Sequence, residues 1–116
     1  MAGLMLAACG GGNTQEAEPT LNPVAAQGQR IFQTNCASCH STVADVMIQG
    51  PSMAGIATRA ETLVEGMDAR TYIEASIFSP DAYVVDGFND IMPNTFSKTL
   101  TGEELDALVV FLLTLK

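Results

Sequence analysis

The chain has 116 residues, 47% of them apolar, with five Phe, two Tyr and no Trp. That length suits one domain, whose core is thin in aromatic side chains unless a large planar cofactor fills its centre. Thirteen acidic against five basic residues give a formal charge of −8, which excludes a binder of phosphate backbones, so no nucleic-acid partner is expected. The same acidity either attracts a basic docking face on a partner protein or simply keeps the surface soluble.

Residues 1–8, Met-Ala-Gly-Leu-Met-Leu-Ala-Ala, form an apolar run that is too short to span a bilayer, which takes about 20 such residues. The order Leu6-Ala7-Ala8-Cys9 resembles the bacterial lipobox, where signal cleavage leaves an N-terminal cysteine that carries acyl chains. The resemblance implies a signal-peptide remnant over 1–8, a lipidated Cys9, and an extracytoplasmic protein anchored to the outer face of the cell membrane or facing the periplasm. No Lys or Arg precedes the run, so the charged start of the signal is expected to lie upstream. Gly, Pro and polar residues then dominate through residue 21, a composition that reads as a flexible tether over 9–21.

A helix is expected from Pro23, capped by Asn22, with Val24, Gly28, Ile31, Phe32 and Asn35 on one side. A glycine in mid-helix costs about 1 kcal/mol against alanine, so Gly28 suggests close packing by another element. The run Cys36-Ala37-Ser38-Cys39-His40 follows. Two thiols at this spacing add across the vinyl groups of one haem, and the adjacent histidine offers a nitrogen to its iron. A thioredoxin-like pair would need a βαβ context, and a zinc site four N/S ligands. The chain's only other cysteine is Cys9 and its only histidine is His40. One covalent haem c through Cys36 and Cys39 is therefore the expected cofactor. A bis-histidine iron is impossible within the chain, and the sixth ligand is methionine, water, an unusual group or nothing.

The segment Gly50-Pro51-Ser52-Met53-Ala54-Gly55-Ile56-Ala57-Thr58-Arg59 comes next, and from here the chain resembles the class I, small single-haem cytochromes c over roughly residues 22–116. The resemblance implies an all-α fold, with three main helices and loops wrapped around one haem. It implies that the Pro51 carbonyl orients His40, that Arg59 lies near a haem propionate and that Met53 lines the haem. It also implies first and last helices crossing with Gly28 against Phe111.

A middle helix is expected over Ala69–Phe78, capped by Asp68 and stopped by Pro80, with Tyr72, Ile73, Ser76 and Ile77 inward. The stretch from Asp81 to Pro93 resembles the methionine-bearing loop of the family, particularly of cytochrome domains attached to oxidase second subunits. Tyr83-Val84-Val85 has no partner strand to pair with. Four methionines compete as sixth ligand. Met47 lies too close to His40 in sequence, Met53 sits beside Pro51, and Met67 is the rival to Met92. Met92 has ample chain to reach the opposite face, and Pro93 biases it towards extended backbone. The metal ligands expected are therefore His40 and Met92. A last helix opens on the capping box Thr101-Gly102-Glu103-Glu104 and carries Leu105, Leu108, Val109 and Leu112 along one stripe.

The reading that follows is a one-electron carrier rather than an enzyme, without a small-molecule substrate. It would be membrane-tethered and would exchange electrons with redox proteins of a respiratory or photosynthetic chain. The alternatives are a haem peroxidase or gas-reactive haem with a labile sixth ligand, and a thiol–disulfide oxidoreductase.

Overall fold

A computed structural model describes residues 21–116, so residues 1–8, Cys9 and the tether up to residue 20, with what is expected of them, lie outside the described residues. Among the described residues every regular element is helical: α1 (Pro23–Asn35), α2 (Ile56–Arg59), α3 (Ala69–Phe78), α4 (Phe96–Thr99) and α5 (Gly102–Leu112). Three of these are long and two are single turns. None of the described helices is long and apolar enough to cross a membrane.

The ends of the long helices follow from local chemistry. Asn22 Oδ1 accepts the Ala25 amide at 2.8 Å, with Pro23 in the first turn, where no amide is needed. Asp68 Oδ1 accepts the Thr71 amide at 2.8 Å and opens α3. Those hydrogen bonds hold the Asp68 carboxyl below its usual range. At α5, Thr101 Oγ1 accepts the Glu104 amide at 3.1 Å, while Glu104 Oε1 accepts the Thr101 amide at 3.0 Å. This reciprocal pair satisfies two amides that a helix start leaves bare.

The core is the crossing of α1 and α5. Ala25, Gly28, Ile31 and Phe32 are buried on α1; Ala107, Leu108, Val109, Phe111 and Leu112 are buried on α5. Val24, expected inside, is 45% exposed, and Ala25 takes the inner place. At Gly28 the two backbones come so close that no side chain fits. A Cβ on Gly28 would lie 2.6 Å from the Ala107 carbonyl carbon, 2.7 Å from Phe111 Cβ and closer still to the Ala107 carbonyl oxygen. Phe32 and Phe111 pack with ring centroids 5.6 Å apart, tilted by 56°. Such a pair adds about 0.5–1.5 kcal/mol to its area burial.

α3 contributes Tyr72, Ile73 and Ile77 to the same core. Arg70 Nη1 reaches Glu74 at 3.1 Å and Asp106 of α5 at 3.2 Å; exposed pairs of this kind contribute about 0–1 kcal/mol. The chain between α3 and α4 is irregular, and Tyr83-Val84-Val85 lies in exposed loop. The two short helices show no sequence periodicity because four residues complete only one turn. Each hangs on backbone bonds instead, as when the Ala57 amide donates to Leu115 O at 3.0 Å.

Gly28→Ala tests the crossing. The helix-propensity gain of alanine, about 1 kcal/mol, is outweighed by overpacking against a rigid backbone, which costs about 1–3 kcal/mol or more. Circular dichroism melts should show a clear loss of stability. Gly102→Ala, with open space around its added methyl, should melt no lower than the unsubstituted chain. An unchanged melt of Gly28→Ala would refute the close approach.

Candidate functional site

The cysteine–histidine run continues directly from α1. The Cys36 and Ala37 amides donate to Phe32 O at 2.8 and 3.0 Å, and those of Cys39 and His40 donate to Cys36 O at 3.1 and 2.9 Å. The run is thus wound in helical turns whose position is set by α1. Cys36 and Cys39 are not joined in a disulfide. Burial, and secondarily the neighbouring Cys39, pushes the Cys36 thiol up to about 11. A thiol–disulfide catalyst needs the opposite, a lowered thiol. The Cys39 thiol donates to Gln49 Oε1 at 3.5 Å. Among the described residues no three His, Cys, Asp or Glu side chains are placed to hold a bare metal ion together.

His40 is held in two ways. Its Nδ1 lies 2.8 Å from the Pro51 carbonyl oxygen. A carbonyl only accepts, so Nδ1 carries the hydrogen and Nε2 keeps its lone pair for a metal. The flat of the ring rests on Gly50: a Cβ there would lie 2.8 Å from Nδ1, 3.0 Å from Nε2 and nearer still to Cε1. The family resemblance implies the bond from His40 to the Pro51 carbonyl but not the cradle beside it; the absence of a side chain at Gly50 is what admits the imidazole.

The loop that presents Pro51 is braced from several sides. The Gly50 amide donates to Cys39 O and the Met53 amide to Ser41 O, both at 2.8 Å. Ser52 Oγ donates to Val43 O at 2.6 Å, and Ser41 Oγ reaches the carbonyls of Val43 and Val46. Arg59 donates from Nη1 to Ala54 O and from Nη2 to Ser52 O, both at 2.8 Å. The guanidinium therefore buttresses the Pro51 loop while it also lines the neighbouring cavity. The serines were not legible as site residues, because serine in a polar loop has no distinguishing pattern.

That cavity is floored by Phe32, Ile73, Ile77, Leu108 and Leu112, and Cys36, Cys39 and His40 stand in its wall. Of the four candidate methionines, Met53 and Met92 line it and Met47 and Met67 do not. Met47 is 66% exposed, and Met67 packs on the core from the side. Met53 is tied by its backbone to Ser41, next to His40; Met92 comes from the separate loop between α3 and α4. An apolar slot, two unpaired thiols, an oriented imidazole and a glycine cradle in one place fit a c-type haem.

Gly50→Ala should displace His40 from the Pro51 carbonyl. The expected result is a several-fold lower haem absorbance per polypeptide, with helical circular dichroism largely retained. Full haem content with an unchanged Soret spectrum would show that the ring does not rest there.

The family to which the chain matches agrees with this geometry. The cytochrome c family matches residues 25–116. No curated protein matches the chain. Among solved structures, it is similar to an engineered cytochrome c from Rhodothermus marinus (Rma TDE) bound to a carbene intermediate. The two share 18% identity over 84% of this chain and 86% of that one, with a TM-score of 0.49. The chain belongs to the cytochrome c family, with a class I cytochrome c domain and a function in haem-based electron transfer.

Proposed function

We propose that this protein is a membrane-tethered one-electron carrier with a single haem, attached through Cys36 and Cys39 and ligated by His40 and Met92. What supports the ligand pair is that one apolar cavity is lined both by His40, through an oriented ring, and by Met92, from a separate loop. Met53 shares that cavity but is bonded into the loop beside His40, so it serves as lining. When bound, the haem supplies an iron that takes up and releases one electron. The residues around it keep its setting constant: Gly50 and the Pro51 carbonyl fix the imidazole, Arg59 holds their loop, and the aliphatic floor excludes water. A methionine in the sixth position leaves no vacancy for substrate, which favours a carrier over an enzyme. Met92→Ala should lower the reduction potential, abolish the weak near-infrared sulfur–iron band and open the iron to carbon monoxide. Survival of the band in that variant and its loss in Met67→Ala would reassign the ligand.

The tether is read from Leu6-Ala7-Ala8-Cys9. With two or more acyl chains on Cys9, the domain would be held stably on the outer face of the cell membrane or in the periplasm. The charge of −8 suits redox partners with a basic docking face, in a respiratory or photosynthetic chain, as in cytochrome domains of oxidase second subunits. Cys9→Ser should release the haem protein into the soluble extracytoplasmic fraction; unchanged membrane retention would refute the anchor.

A further inference from the structure

We propose that the loop Val43–Ile48 is a membrane-contact surface, which sets its apolar side chains among the headgroups and upper acyl chains of a lipid bilayer. It rests on the tether reading above and gives the tethered domain an orientation. Val43, Val46, Met47 and Ile48 keep between 44% and 66% of their surface in solvent. Five other exposed apolar residues, Leu63, Tyr83, Val84, Val85 and Ile91, line the haem cavity, where a bound haem would cover them. The four on the loop do not line it, so a bound haem leaves them bare. Four large apolar side chains exposed within six residues form a patch of the kind that marks a contact site.

The loop is also built to hold its shape. The Val43 carbonyl accepts the Val46 amide at 3.2 Å and the Ser52 hydroxyl at 2.6 Å, and the Ser41 hydroxyl sits against the carbonyls of Val43 and Val46. Asp45 at the turn has a φ of 61°, the only positive φ among the described non-glycine residues. Aspartate is one of the few side chains that accept that backbone. A patch fixed in advance loses little freedom on contact.

What favours a bilayer over a protein partner is where the chain enters the domain. Leu21, Asn22, Ser41, Thr42 and Ile48 line one groove, so the entry point lies beside the loop. Cys9 stands twelve positions before Leu21, a stretch that spans at most about 40 Å. Anchored there, the loop meets the bilayer at an effective concentration in the millimolar range. An insertion too weak to hold a free protein is then sufficient. The chemistry of the loop agrees. Residues 41–50 hold none of the Trp, Tyr and Arg that anchor protein interfaces. Asp45 is their one charge, and its carboxylate stays with the headgroups and limits the depth. With a formal charge of −8 on the chain, zwitterionic lipid is preferred to anionic lipid.

The test uses the full chain as holoprotein with Cys9→Ser, which carries no acyl group, sedimented with phosphatidylcholine vesicles. Binding should appear at millimolar lipid, persist in high salt and fall as phosphatidylglycerol is added. Val43→Ser together with Met47→Ser should weaken it about tenfold, with an unchanged Soret spectrum. Asp45→Asn should strengthen it several-fold, since asparagine also accepts the left-handed turn. The proposal is overturned if no binding is seen at millimolar lipid, the result expected of a loop that serves a protein partner or a second copy. It is equally overturned if Asp45→Asn weakens binding, or if binding survives the double substitution, which would place the contact elsewhere, as on the apolar residues 1–8. The anchor is read separately, from membrane retention of the unsubstituted protein. Loss of that retention would refute acylation of Cys9, and the vesicle titration would still decide the loop.

Discussion

At Gly28 the backbone of α1 comes so near the Ala107 carbonyl of α5 that a hydrogen atom fills the gap, and the geometry of the whole domain is referred to that contact. α5 brings Leu108 and Leu112 to the floor of the cavity, and α1 brings Phe32. The carbonyl of Phe32 then receives the first amides of the haem-attachment turn. Interiors are close-packed and transmit displacement, so the angle at which the two helices cross also sets where the thiols and imidazole stand relative to the apolar floor. Substitution far from the iron can therefore act on the site through this crossing.

The site itself is built mostly from main-chain atoms. The imidazole is oriented by the carbonyl of one residue and the bare Cα of another, and the loop carrying both is held by Arg59, Ser41 and Ser52 acting on carbonyl oxygens. Such an arrangement tolerates variation in side chains while demanding one backbone path. It also limits reorganisation between oxidation states, because few of the atoms that touch the ligand are free to rotate.

Much of this was legible in the residues. The cap at Asn22, the Ala69–Phe78 helix and the Thr101–Glu104 box are local effects that a sequence displays directly, and the cysteine–histidine run announces its cofactor. A glycine inside a helix needs a packing reason, so Gly28 pointed to a close neighbour, and the family resemblance set Phe111 there. What escaped depends on tertiary contact. Val24 turns to solvent and Ala25 inward, although the spacing set Val24 on the side of Gly28. Ser41 and Ser52 look like ordinary loop residues until the carbonyls they hold are in view, and Gly50 shows only half of a Gly-Pro pair until the ring resting on it is seen. Arg59, which the family pattern set beside a propionate, donates two of its hydrogens to its own loop, a bond no spacing rule foresees.

The contact between α1 and α5 joins the two ends of the domain, whereas the bonds from Cys39 and Ser41 to Gly50 and Met53 span about a dozen residues. Loop-closure cost rises only slowly with length, so the long-range crossing costs little more than the short turn, and the apolar area it buries offsets the difference. Cys36 is half-buried in the finished fold, so its sulfur is more accessible before the two helices meet. A haem joined there would enter while the chain is open, and the docking of α5 would then close the interior behind it.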